Sequence, residues 1–114
     1  MTRVYKLLSR ADWQAACAGE VFLGSPVDLA DGFIHFSTAA QAPETGRRYF
    51  AGVADLVVVG FWAHALGPML RWEPSRGGDL FPHLYAPLPT ELAISCEAVA
   101  LDADGVPVLA GLEA

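Results

Sequence analysis

The chain has 114 residues, 54% of them hydrophobic and 18% charged, with a formal net charge of -6. That balance describes one globular domain, 1–114, burying roughly two-thirds of its unfolded surface, rather than a disordered chain. The acidic charge argues against a nucleic-acid backbone or an anionic membrane as the main partner, but leaves room for a small anionic ligand held by a local basic spot.

Arg3 and Lys6 are followed only by Leu7 and Leu8 as an apolar run, too short for a signal-peptide core. The longest apolar run, Leu56 to Ala63, is too short to cross a bilayer. The expectation is a cytoplasmic location with no membrane association. Cys17 and Cys96 have neither metal nor redox spacing and are expected to be reduced, mostly buried thiols.

In chain order, Val4 to Leu8 alternates as a strand. Ser9, with Asp12 three residues on, predicts the N-cap of a helix running to Ala18, with Trp13, Ala16 and Cys17 inward and Gly19 as its stop. Glu20 to Ala30 is irregular, with a turn signal at Gly24-Ser-Pro26, and is expected to be a loop forming a lid or rim. Gly32 to Ser37 reads as a strand. It turns Phe33, His35 and Ser37 to one face and Ile34 and Phe36 to the core. Thr38 and Gln41 have capping-box spacing before a helix to about Phe50, with Ala42, Gly46, Tyr49 and Phe50 inward.

Asp55 to Trp62 is apolar without alternation, as in a strand covered on both faces. Met69 to Glu73 is a short strand with Arg71 and Glu73 on one face. Pro74 to Asp79 is a loop. Phe81 to Ala86 is a strand with Phe81, His83 and Tyr85 on one face, and Pro82 predicts an edge position or a strand start. Pro87 and Pro89 make a connection. Leu92 to Leu101 is a strand, Asp102 to Gly105 a hairpin turn and Val106 to Leu109 its return, with 110–114 frayed. The class is α+β, with two helices in the N-terminal half.

Three strands thus offer polar groups for one cleft: His35 and Ser37, Arg71 and Glu73, His83 and Tyr85. Mixed pockets with a few convergent polar groups are typical of small-molecule sites. Each residue also has a structural reading. His35 can be bonded to backbone, Ser37 or Thr38 can be a helix cap, Arg71 and Glu73 can be a surface ion pair, and Phe81 and Tyr85 can be core. There is no phosphate loop, dinucleotide fingerprint, nucleophile elbow or local metal spacing. A metal-dependent hydrolase using His35, His83 and Glu73 ranks last of the functions considered, because their spacing gives it no support.

The stretch Asp31-Gly-Phe-Ile-His-Phe-Ser-Thr-Ala-Ala-Gln41, then Tyr49-Phe50-Ala51-Gly52, Arg71-Trp72-Glu73 and Phe81-Pro82-His83-Leu84-Tyr85, resembles the bacterial "domain of unknown function 952" family over nearly the whole chain. That family has no established activity. The resemblance implies a mixed-sheet fold like that of the ADP-ribosyltransferases and RNA 2'-phosphotransferases, which use NAD. Carried over, His35 and Ser37 match the ribose- and carboxamide-binding element, and Glu73 or Glu97 stands for the carboxylate that steadies charge at the anomeric carbon. Tyr49 or Tyr85 would stack on the leaving ring, with His83 as acid or base. Thr38, Arg71 and Phe81 complete the expected ligand set, and the RNA-processing relatives' basic residues have no obvious counterpart. The expected function is an NAD-type nucleotide cleft, with or without glycosidic-bond chemistry; a non-catalytic binding or regulatory module is the alternative.

Overall fold

In a computed structural model describing residues 1–114, the chain is α+β with eleven main elements. They are β1 (Arg3–Ser9), α1 (Arg10–Ala18), β2 (Val21–Phe22), α2 (Pro26–Asp31), β3 (Ile34–His35), α3 (Ala42–Tyr49), β4 (Leu56–Trp62), β5 (Leu70–Pro74), β6 (Leu80–Leu84), β7 (Leu88–Pro89) and β8 (Ala93–Val99). Every strand pairing is antiparallel, in three small sheets ordered β1-β4-β8, β2-β7 and β3-β6-β5, where a mixed sheet was expected.

The strand β4 is central because it is apolar on both faces. Val57, Val59 and Phe61 enter the larger core with Val4, Leu8, Trp13, Ile34, Phe36 and Leu84. Leu56 and Val58 enter a smaller core with Tyr5, Leu7, Ala42 and Leu109. Burying each such large aliphatic or aromatic side chain contributes on the order of 1.5–3 kcal/mol, and β4 contributes to both layers. Ser9 caps α1 by accepting from the Asp12 N–H at 3.1 Å, and Gly19 closes the helix.

Several expectations change. Residues 26–31 form a third helix, α2, where an irregular loop was predicted. Pro26 takes its first turn, and Gly32, at φ 84°, ends it in the left-handed region that favours glycine. The helix escapes a periodicity reading because its polarity is inverted: Val27 and Leu29 are exposed while Asp28 is 1% exposed. Leu88 and Pro89, expected to be connection, pair with Phe22 and Val21.

The strand β6 is central rather than an edge, despite Pro82. The ladder to β3 covers only Ile34–Leu84 and His35–His83. At the next position the Phe36 N–H still donates to the Pro82 carbonyl at 3.0 Å, so proline removes only the reciprocal bond, where β3 stops.

Both cysteines are exposed, correcting the expected burial. Tyr49 is 64% exposed, at the end of α3, rather than inward. The last residues are held rather than frayed: Glu113 pairs with Arg3, its carbonyl accepts from the Tyr5 hydroxyl, and Leu112 packs on the smaller core. No helix is long and apolar enough to cross a membrane.

Candidate functional site

Segment 34–37 crosses from one sheet to the other. Ile34 and His35 pair with β6, and Ser37 exchanges backbone hydrogen bonds with Tyr5 of β1 at 2.8 and 2.9 Å. Ile34 and Phe36 point into the larger core. The alternate residues belong to the other face of the β3-β6-β5 sheet, where His35, His83 and Arg71 lie opposite one another and Phe81 lies opposite Glu73.

A buried ion pair organises one end of this face. The Lys6 ammonium donates to both Asp28 oxygens, at 2.9 and 3.1 Å, and to the His35 carbonyl at 3.0 Å. The two side chains are 5% and 0% exposed. Asp28 also accepts from the Ser25 N–H at 2.9 Å, from the His35 N–H at 3.1 Å, and lies 2.6 Å from His35 Nδ1. One carboxylate therefore closes the first turn of α2, aligns β3 and orients the imidazole. Burial alone would push its carboxyl up, but the bonds from His35, Lys6 and Ser25 outweigh that and hold it well below the usual carboxylate range. Burial pushes the Lys6 ammonium down, opposed by Asp28. Three donors on the carboxylate favour an ionised pair.

The second ring nitrogen of His35, Nε2, lies 2.9 Å from Asp31, whose side chain is half exposed. A neutral ring can donate to only one of these carboxylates, so the Asp31 contact is the one open to exchange with a ligand. Phe33 covers the middle of the face, with ring centroids 4.5 Å from His35, 4.1 Å from His83 and 5.2 Å from Tyr85. Beside it, Glu73 Oε1 accepts from the Tyr85 hydroxyl at 2.7 Å and lies 2.9 Å from His83 Nδ1. The Tyr85 and His83 bonds hold the Glu73 carboxyl below its ordinary range, and Glu73 in turn pushes the Tyr85 phenol up. The Arg71 guanidinium sits 5.0 Å from the Tyr85 ring centre.

The far end is closed by α3. Ser37 Oγ is 2.9 Å from Thr45 Oγ1, to which Arg76 donates at 3.3 Å, and the Arg76 guanidinium lies 4.9 Å from the centre of the Phe81 ring. Ser37 is buried by these neighbours. Thr38 and Gln41 form a reciprocal cap, the Thr38 N–H donating to Gln41 Oε1 at 3.0 Å and the Gln41 N–H to Thr38 Oγ1 at 3.2 Å. Tyr49 shares no hydrogen bond or ring contact with this group.

The fold therefore brings His35, Arg71, Glu73, Phe81, His83 and Tyr85 to one sheet face, with Ser37 at its closed end and Thr38 occupied in a cap. Glu97 lies on the β1-β4-β8 sheet instead. No group of three or more His, Cys, Asp and Glu side chains is arranged to hold a metal ion. A cavity of about 260 Å³ adjoins the face and shares Phe33, Tyr85 and Asp28 with it.

Lys6, Asp28 and Asp31 were missed from the sequence. A lysine alternating with Val4 and Leu8 on the core side of an apolar strand was one available signal. The spacing of Ser25 and Asp28, three apart with Pro26 between, was the other.

The overall fold is similar to that of solved structures. An X-ray structure of protein CC0527 from Caulobacter crescentus is 54% identical, covers 95% of both chains and superposes with a TM-score of 0.93. The solution NMR structure of CC0527 is likewise 54% identical, covers 96% of this chain and 94% of that one, and gives a TM-score of 0.86. Comparison with curated proteins gives no match. The family model described as "Protein of unknown function (DUF952)" matches residues 7–96, which include β3, β5 and β6, and the chain belongs to that family.

Proposed function

We propose that the polar face of the β3-β6-β5 sheet binds a small nucleotide of the NAD type, and that the fold is related to that of the ADP-ribosyltransferases. The observation carrying this reading is the buried Lys6–Asp28 pair holding His35 beside Phe33 and opposite the Glu73–Tyr85–His83 group. A buried ion pair is costly to assemble and is weak evidence for stability, so its use to aim one half-exposed imidazole favours a site.

In this reading His35 hydrogen-bonds ribose hydroxyls in exchange for Asp31. Phe33 and Tyr85 offer ring faces to a base, and Arg71 receives a phosphate. Glu73, held ionised by its two partners, stabilises positive charge as a glycosidic bond lengthens. His83 tunes Glu73 from beneath Phe33. The ligand class comes from the family resemblance together with the mixed aromatic, cationic and carboxylate lining.

Both ring nitrogens of His35 already face carboxylates of the chain itself, which favours a second reading, a binding or regulatory module without turnover. Calorimetric titration with NAD, ADP-ribose and nicotinamide tests the site. Heat with wild type that is lost in Arg71→Ala supports it, and absence of heat with all three removes the nucleotide reading. Hydrolysis of NAD over hours would eliminate the non-catalytic alternative.

A further inference from the structure

A second cavity, of about 430 Å³, lies on the β1-β4-β8 sheet, in the size range of small-molecule sites. Its floor is a row across three strands in which Tyr5 is opposite Gly60 and Gly60 opposite Ser95. A Cβ at Gly60 would fall 2.5 Å from Ser95 Oγ and 3.1 Å from Tyr5 Cε1, so the glycine lets both side chains close over the strand. The β4–β8 register shifts immediately after it, between Gly60 and Phe61; bulges of this kind re-aim side chains next to sites.

The lining is amphipathic. Trp62, Ile94 and Leu112 supply apolar walls, and the charged members are Arg3, Glu97 and Glu113. Arg3 is already neutralised by Glu113 and lies over the Trp62 ring. Glu97 has no ionic partner, so the cavity keeps one net negative charge in an acidic chain. The segment Gly111–Glu113 forms one wall, tied down by the Arg3 pair and the Tyr5 hydroxyl.

We propose that this cavity is a second ligand site, for a small organic cation bearing an amine or guanidinium, with Glu97 as the counter-ion and Ile94 and Leu112 among its apolar walls. The Arg3 guanidinium already takes the Trp62 ring and the Glu113 carboxylate, which leaves Glu97 as the charged group of the cavity without an ionic partner. The site is independent of the nucleotide reading, because it shares no residue with the β3-β6-β5 face.

The test is an amide-resolved NMR titration with agmatine, with neutral butylurea and anionic glutarate as controls. The expected result is shifts confined to Trp62, Ile94–Glu97 and Gly111–Glu113 with agmatine alone. Glu97→Gln should weaken binding by about tenfold or more with an unchanged melting temperature, since it removes one charge-assisted contact at an exposed position. Glu97→Lys should abolish binding. Absence of shifts at millimolar agmatine, equal binding of butylurea, or undiminished binding by Glu97→Gln would overturn the proposal.

Discussion

Replacing Lys6 by Met tests the buried pair on which the site rests. The change keeps most of the side-chain volume in a position where the lysine is 5% exposed, and removes the ammonium from an Asp28 carboxylate that is 0% exposed. Breaking a buried pair from one side costs about 3–5 kcal/mol. Asp28 keeps its bonds from Ser25 and His35, which places the loss near the lower end, about 3 kcal/mol. At about 2.1 cal/mol/K per residue, 114 residues give an unfolding entropy of roughly 0.24 kcal/mol/K, so Tm should fall by roughly 12 °C. Urea unfolding at unchanged m-value measures the loss directly. The double variant Lys6→Met with Asp28→Asn leaves no buried charge and should be more stable than the sum of the singles by about 1–3 kcal/mol. A loss below about 1 kcal/mol for Lys6→Met, or strict additivity, would refute the claim that these groups form a coupled ion pair.

Three further outcomes follow from the same geometry. The Asp28 carboxyl is held down in the fold, so below about pH 4 the unfolded chain binds the extra proton first and stability falls as pH drops; Asp28→Asn should flatten that acid limb in urea melts run from pH 5 downward. Glu73→Gln removes the charge that raises the Tyr85 phenol, so an ultraviolet titration should find a tyrosine ionising at lower pH in the variant than in wild type. Gly60→Ala forces a methyl group against Ser95 and Tyr5, and should cost about 1–3 kcal/mol in chemical denaturation despite alanine's better strand propensity.

Much of the fold was legible because local rules and burial agree in those segments. Leu56 to Trp62 reads as a doubly covered strand and is one, and Ser9 caps the helix its spacing predicts. The alternation in Ile34–Ser37 assigns Ile34 and Phe36 to the core, where they lie. The helix α2 was illegible for a physical reason. Its buried residue is the charged Asp28 and its exposed residues are Val27 and Leu29, so hydrophobic periodicity points the wrong way.

The network was hidden for a related reason. Lys6, Asp28 and His35 come from three elements, and only the folded chain reveals that a lysine in an apolar strand has its counter-ion 22 residues away. The position of Pro82 shows the converse: the proline rule is sound, but it acts on a hydrogen bond, and β3 ends where that bond would be needed. Tyr49 looked inward by helical spacing, yet at the end of α3 it is exposed while its neighbour Phe50 packs against the smaller core.

The most direct test of the central claim is an amide-resolved NMR titration of the wild-type chain with ADP-ribose, repeated with His35→Ala. That variant leaves Asp28 bonded to Lys6 and Ser25, so it should remain folded. Shifts should group on Phe33–Ser37, Arg71–Glu73 and Phe81–Tyr85 and be lost in the variant. Shifts absent from those segments, or unchanged without the imidazole, would contradict that claim.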